Sequence, residues 1–536
     1  MLSVKKRTML SVKKPACILE DYRINFHDKN NEAGDRNMPQ MEQNKRGQER
    51  SKEQNKERQE QDQLQWKPEE IQLKQNKAQR GAVDMTTGSV TGHILGFALP
   101  MLAGYLFQQF YSMVDTIIVG KFVGVLALAG VGSTSAINFM IIGFCTGICA
   151  GFSIPVAQRF GARDYSQMRR FIANSMWLSA GFAASLTVIV CLLTGAILTA
   201  MNTQSDIYRY AYDYIFIVFA GIPATILYNL SSSIIRAFGD SRTPVYFLLF
   251  SSVLNIILDL VTIIHFGMGV RGAAYATVAS QLIAGILCTA YMYRRFPFIR
   301  GTKAESRPSL SCIRQLVCMG VPMGLQYTIT AIGSVILQTA VNGLGYMAVA
   351  AVAAGSKIRM FFATPYDSLG GTMATFAGQN VGARKLERVE EGIKKASLLG
   401  FGYSLFGLLV MIFFGQQLAM LFVDGTEAEI IRMAHFFLIV DACFGVLLTC
   451  VNVFRFCMQG MGFSGLAILA GIMEMIGRSA VAFILVPIFG FRAACFASPA
   501  AWLFADFFLI PACFWCIRRL RVQFGAYENR KKRAAI

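Results

Sequence analysis

Val156-Ala-Gln-Arg-Phe-Gly-Ala-Arg163 recurs as Ala377-Gly-Gln-Asn-Val-Gly-Ala-Arg384, with Gln, Gly, Ala and Arg held at an offset of 221 residues. The same offset carries Val270-Arg-Gly-Ala-Ala-Tyr-Ala276 onto Phe491-Arg-Ala-Ala-Cys-Phe-Ala497. Asn229 and Gly239 find Asn452 and Gly462 at 223, and Pro100 and Tyr105 find Pro322 and Tyr327 at 222. One such match is chance; four in register across the chain mark an internal duplication.

What is duplicated is apolar. Of 536 residues, 54% are hydrophobic and 15% charged, and the mean hydropathy is +0.45, a composition that excludes a string of soluble domains. A bilayer core needs about 20 apolar residues per helix. Polar loops cut the chain into twelve spans of that kind, at 92–118, 130–157, 170–199, 208–235, 243–265, 272–293, 313–341, 349–377, 395–422, 430–458, 465–487 and 493–517. Six spans per repeat is an even number, so the halves run parallel, related by an axis along the membrane normal, with a cavity between them and rocking of one half against the other as the natural mechanism. The fold class is therefore an all-α polytopic membrane protein of twelve transmembrane helices in two parallel six-helix repeats. Its expected parts are a polar tail (1–87), an N-lobe (88–300), a C-lobe (301–520) and a basic C-terminus (521–536).

Short loops rich in Lys and Arg stay cytoplasmic. With the N-terminus inside, the cytoplasmic segments carry 25 such residues, Arg236 and Arg455 counted among them, against five on the other side: Lys121, Arg209, Arg271, Arg432 and Arg492. Both termini are expected in the cytoplasm, in the plasma (inner) membrane. Most of the net charge of +19 belongs to this membrane region, so no nucleic-acid partner is needed to explain it. Residues 42–80 are Gln, Glu, Lys, Arg and Asn with few core formers, which predicts disorder. Met85, just ahead of the first span, is an alternative start. The cysteines lie mostly inside apolar runs, where Cys is a small hydrophobe. Cys513-Phe-Trp-Cys516 has redox-pair spacing but ends a hydrophobic span, without βαβ context.

A carboxylate within the hydrocarbon costs about 2.5–3.5 kcal/mol on insertion scales, so the few present are informative. Asp115 lies in the first span; Asp259 lies in the fifth, one helical turn after Asn255 and on the same face. Asn229 and Thr277 add oxygens from the fourth and sixth. Together they suit Na⁺, or a shared proton; the alternative is that each is a helix-packing hydrogen bond. Pro100 frees a carbonyl in the first span and offers a hinge. Asp441, Glu474 and Asp506 in the second half are isolated in sequence, and Lys357 and Arg359 read as snorkelling cations. Tyr111, Met140, Tyr327 and Phe361 are cavity candidates for amphipathic cations. No phosphate-binding loop and no His-Glu-x-x-His occurs, so neither ATP-driven pumping nor zinc hydrolysis is supported: no enzyme and no cofactor beyond a coupling ion.

Ala98-Leu-Pro-Met-Leu, Gln108-Gln-Phe-Tyr-Ser-Met-Val-Asp-Thr-Ile-Ile-Val-Gly, Gln158 with Gly161-Ala, Arg236-Ala-Phe-Gly-Asp240, Asn255-Ile-Ile-Leu-Asp259, Gly272-Ala-Ala-Tyr-Ala-Thr277 and Gly378-Gln-Asn-Val-Gly-Ala383 together resemble the multidrug and toxic compound extrusion (MATE) transporters over about residues 88–520. The resemblance implies a V-shaped, two-lobe monomer in the lipid bilayer, an antiporter exporting small organic cations or related metabolites against H⁺ or Na⁺. It is closest to the DinF-type branch, whose first-helix aspartate corresponds to Asp115 and whose N-lobe cation or proton site corresponds to Asn229, Asn255, Asp259 and Thr277. The NorM-type branch has a seventh-helix glutamate where this chain has Thr330, which puts a C-lobe cation site in doubt. The rivals are a lipid-linked saccharide flippase of the same superfamily, expected to show an Arg-lined cavity, and a membrane sensor that uses the tail.

Overall fold

Ser89 opens the first membrane helix: its hydroxyl accepts from the Gly92 amide at 3.3 Å, satisfying a donor that a helix start leaves open. From there this computed structural model, which describes residues 81–534 (side chains to Ala526), is helical without a strand among the described residues. The first half runs α1 (Val90–Phe122), α2 (Val125–Ser133), α3 (Ser135–Gly161), α4 (Tyr165–Ala200), α5 (Ser205–Ala220), α6 (Ile222–Ala237), α7 (Arg242–Leu260, prolonged by a π-helical turn Val261–His265) and α8 (Gly269–Arg295). The second runs α9 (Leu310–Asn342), α10 (Tyr346–Gly382), α11 (Leu386–Ala419), α12 (Ala428–Cys443), α13 (Gly445–Gly460), α14 (Ser464–Ala480, with a π-helical turn Val481–Leu485), the short α15 (Val486–Phe489) and α16 (Phe491–Cys495), and α17 (Ala497–Ala534).

Ten of these helical runs are long and apolar enough to cross a bilayer, and the bent pairs α5–α6 and α12–α13, at 47° and 49°, complete the twelve spans. The bends have local causes. Pro223, in the first turn of α6, has no N–H to continue the α5 ladder, and Gly445 opens α13. The duplication is written into the backbone as well. Both bends, both π-helical turns and four pairs of positive-φ residues (Gly124/Gly345, Arg163/Arg384, Gly239/Gly462, Gly269/Gly490) recur about one repeat apart. Residues 82–294 and 299–536 form one compact unit.

The repeated Gln-x-x-Gly-Ala-Arg motif, at 158–163 and 379–384, is where the halves meet. Gln158 at the end of α3 donates to the Gly460 carbonyl in the second half (2.9 Å), and its counterpart Gln379 on α10 donates back to the Ala237 carbonyl in the first (2.9 Å). Gly161 and Gly382 are required by the same contact. A Cβ on Gly161 would fall on the Gln379 carbonyl, and one on Gly382 would fall on that of Gln158. The segment ahead of α1 is laid over this junction. Val83 N–H donates to Phe238 O (2.8 Å), Met85 N–H to Gln379 Oε1 (2.9 Å), Lys385 Nζ to Thr86 O (2.8 Å) and Arg388 to Met85 O and Gly88 O (3.1 and 2.9 Å). The expected boundary of the tail at residue 87 is therefore too late, because Met85 is 1% exposed, its backbone groups are satisfied by the second half, and Val83 is bonded to the first. The Asp84 carboxylate accepts from the Thr86 amide and hydroxyl and pairs with Arg163, bonds that hold it below the usual carboxylate range against the opposing effect of burial. Residues 1–80, where disorder is expected, lie outside the described residues.

The linker between halves is pinned by one carboxylate. Glu305 takes two bonds from Arg169 on α4 (Nε and Nη2, 2.8 and 2.7 Å), one from Ser166 (2.8 Å) and one from the Thr302 amide (3.0 Å). The Arg169 guanidinium, then the Thr302 amide, lower the Glu305 carboxyl to about 2. Because the folded value lies below the unfolded one of about 4.3, its contribution is present above that pH and is lost as pH falls toward 2. Glu305→Gln is expected to cost about 1–3 kcal/mol at neutral pH, with the difference from wild type vanishing in acid, read by thermal unfolding in detergent across pH. Gly161→Ala is expected to lose about 1–3 kcal/mol by overpacking, whereas Gly402→Ala on α11, with nothing within 4 Å of the new Cβ, stays neutral in the same assay.

Candidate coupling site and substrate cavity

In the first half, α1, α5, α7 and α8 bring a polar cluster together inside an otherwise apolar bundle. The carboxyl groups of Asp115 (α1) and Asp259 (α7) come within hydrogen-bonding range of each other. Two carboxylates at that separation hold together only with a proton or a cation between them. Asn255, one turn before Asp259 and 1% exposed, bridges outward. With its amide nitrogen donating to Asp259 Oδ2 (3.1 Å), its oxygen accepts from the Thr277 N–H (3.2 Å). Thr277 donates its hydroxyl to the Ala273 carbonyl of its own helix (3.0 Å), and Tyr111 from α1 and Tyr214 from α5 stand within electrostatic range of Asp115 and Asp259. One oxygen of each acid, Asp115 Oδ1 and Asp259 Oδ1, is buried and accepts no hydrogen bond from the described residues. Hard oxygen donors of this kind, with accepting capacity left over, fit a proton or Na⁺.

Of the residues expected here, Asp115, Asn255, Asp259 and Thr277 are brought together. Asn229 is not bonded into the cluster; its amide nitrogen donates back to the Thr225 carbonyl of its own helix at 2.8 Å. Tyr111, expected in the substrate cavity, stands beside the acids instead, and sequence reading missed Tyr214, because an aromatic in an apolar helix carries no distinguishing signal.

A cavity of about 410 Å³ lies on the axis between the halves, lined by α1, α3 and α6 and by their repeat counterparts α9, α10 and α13. Tyr105 and Tyr327, the repeat-related tyrosines, both face it. Of the expected lining residues only Tyr327 does so: Phe361 packs on Phe110 at 5.3 Å between ring centres, and neither it nor Met140 is in the wall. Pro100 sits within α1 just ahead of the lining residues Met101 and Tyr105, and Ser368 on α10 donates to the Ala98 carbonyl beside it (2.6 Å). The turn of α1 that carries Pro100 is thus tied to the opposite half. The lining charges are Arg236, Asp367 and Arg455.

The assignment of Arg455 to a loop is corrected by the structure. It lies inside α13, 6% exposed, and is ion-paired with Glu474 of α14, since a cation can be buried there only with a partner. Asp441 and Arg359 likewise pair across helices at 3.8 Å, with Arg359 also donating to Ser498 (3.2 Å). Asp506 is 4% exposed, and neither of its oxygens has a protein partner among the described residues. Sequence showed Asp441 and Glu474 as isolated because the partner of each sits on another helix, at no helical spacing.

A duplicated twelve-span bundle with a central cavity and a buried acid pair to one side has the architecture of a membrane transporter. The MatE family model matches residues 100–261 and 322–494, more than half of the chain, and the chain belongs to this family of transporters; it is not an enzyme. It is 29% identical over 348 residues to a probable multidrug resistance protein, YoeA, of Bacillus subtilis, covering 63% of this chain and 74% of that protein. It is 24% identical over 377 residues to an FAD transporter of Shewanella oneidensis, covering 68% and 81%. Among solved structures, an outward-facing MATE family transporter superposes with a TM-score of 0.77 over 82% of this chain and 98% of that one, at 23% identity, which is a likeness of fold.

Removing Glu474 leaves the Arg455 charge buried and alone. Glu474→Gln is expected to cost about 3–5 kcal/mol, with the double variant Arg455→Met/Glu474→Met recovering most of it, as read by thermal unfolding of the purified chain.

Proposed function

We propose that the chain is a secondary active antiporter that exports drugs or related amphipathic metabolites through the central cavity, driven by inward movement of H⁺ or Na⁺ through the Asp115–Asp259 pair. The observation that carries this reading is the pair itself: two carboxyl groups within hydrogen-bonding range inside a membrane-spanning bundle, each with a buried oxygen left to accept. Filling or emptying that position changes the charge beside α1. Because α1 also supplies Pro100, Met101 and Tyr105, its response is felt in the cavity wall. The cluster residues Asn255 and Thr277 orient the pair, with Asn229 on the neighbouring α6, and either H⁺ or Na⁺ serves the donor set. One positive charge moving in through 100 mV releases about 2.3 kcal/mol, enough for an export gradient of about 40-fold.

The distribution of basic residues supports a reading in which the junction of Gln158 and Gln379 lies at the cytoplasmic end, with both termini on that side of the plasma membrane. Sealing that end leaves the cavity to the opposite face, the geometry of an outward-facing state.

Cells expressing the chain and loaded with ethidium or carboxyfluorescein are expected to lose export of at least one dye when the Na⁺ or the proton gradient is collapsed separately. Asp115→Asn and Asp259→Asn are each expected to abolish that export while the chain still reaches the membrane. Export indifferent to both gradients, or unaltered in both variants, would refute the reading.

A further inference from the structure

Arg236 ends α6 on the wall of the central cavity, and its recorded polar partner is a neutral one, the Ser233 hydroxyl at 3.1 Å. No carboxylate lies within ion-pair distance of it among the described residues. The other charges of the cavity are spoken for. Arg455 is held by Glu474, and Asp367 lies in electrostatic range of both Arg455 and Arg359. Charges on the second half thus offset one another, whereas the cation contributed by the first half is uncompensated. Tyr105 and Tyr327 are both within electrostatic range of Arg236, so an aromatic wall adjoins the charge.

A guanidinium presents five donors in a planar fork matched to carboxylate and phosphate, and in a protein-walled cavity its field is poorly screened. The same field opposes an entering cation. Resting on the transport reading above, we propose that the cavity takes substrates bearing an anionic group, a carboxylate or a phosphate, which seats on Arg236 while an apolar or aromatic body lies against Tyr105 and Tyr327. The expectation of simple organic cations is replaced by organic anions, or molecules with an anionic end, as the preferred class. The anion can belong to a soluble metabolite or to the headgroup of a lipid-linked compound, since both offer Arg236 the same oxygens.

The test uses two pairs of probes that differ in the phosphate alone: FMN against riboflavin, and geranylgeranyl pyrophosphate against geranylgeraniol. Apparent affinity is read from ligand-dependent thermal stabilisation of the purified full chain in detergent. At least one phosphorylated probe is expected to bind about tenfold more tightly than its neutral partner. That preference should collapse in Arg236→Gln, survive largely in Arg236→Lys, and grow in Asp367→Asn. Which pair shows it distinguishes a soluble substrate from a lipid one. Equal binding within both pairs by the wild-type chain overturns the proposal whatever the variants do, and so does a preference that Arg236→Gln leaves intact. No gradient is applied, so failure here leaves ion-coupled export standing on the dye experiment, and failure there leaves the charge preference of the cavity standing on this one.

Discussion

Hydrocarbon has no answer for an unsatisfied charge, and that constraint orders this molecule. Apart from Asp506, whose buried oxygens have no protein partner among the described residues, the ionisable groups named above within the bundle are matched, shared or turned to a cavity. Arg455 meets Glu474, Arg359 meets Asp441, and Asp115 and Asp259 face each other. The exceptions are the telling ones, because a group left without a partner in such surroundings persists only where something transient visits it. The open oxygens of the acid pair and the guanidinium of Arg236 are both of that kind. They lie in the same half, one beside α1 and the other at the end of α6.

The two halves are equal in backbone and unequal in chemistry. Bends, π-helical turns and left-handed residues recur at the repeat spacing, and the glutamines Gln158 and Gln379 exchange hydrogen bonds reciprocally across the junction. The acid pair has no copy: where α1 carries Asp115, α9 carries Gln338 nearby, and the charges within the helices of the second half, among them Arg359, Asp367, Asp441, Arg455, Glu474 and Asp506, stand at other positions. Duplication thus supplied one backbone scaffold twice, and divergence left the close acid pair in one half only. Ser368, bonded to the carbonyl two residues before Pro100, nevertheless ties the second half to the first beside that proline.

Periodicity and repetition made the architecture legible, since twelve apolar runs and a 221-residue offset are properties of the sequence alone. The pairing of Asn255 with Asp259 was equally readable, being one turn of one helix. What could not be read were partnerships between helices. Nothing in the spacing of Arg455 and Glu474 announces an ion pair, so Arg455 looked like a loop residue and the acids of the second half looked solitary. Tyr111 was assigned to the cavity because its type suits one; only the direction of its side chain, toward Thr277 and the acids, places it elsewhere. Asn229 was drawn into the cluster by its position in an apolar span, and the structure instead spends its amide hydrogen on its own helix.

The strap from Val83 to Gly88 joins partners that are far apart in time as well as in sequence. Its bonds to Gln379, Asn380 and Arg388 span 294 to 303 residues. At a synthesis rate of about 5–20 residues per second, the groups that receive Met85 emerge from the ribosome roughly 15–60 s after it does. During that interval the first half already exists as a bundle of membrane helices while its leading segment has only Phe238 and Arg163 to hold. Docking of the strap therefore waits for α10 and the start of α11, a closure that follows the first half and reports that the second has begun to come into register with it.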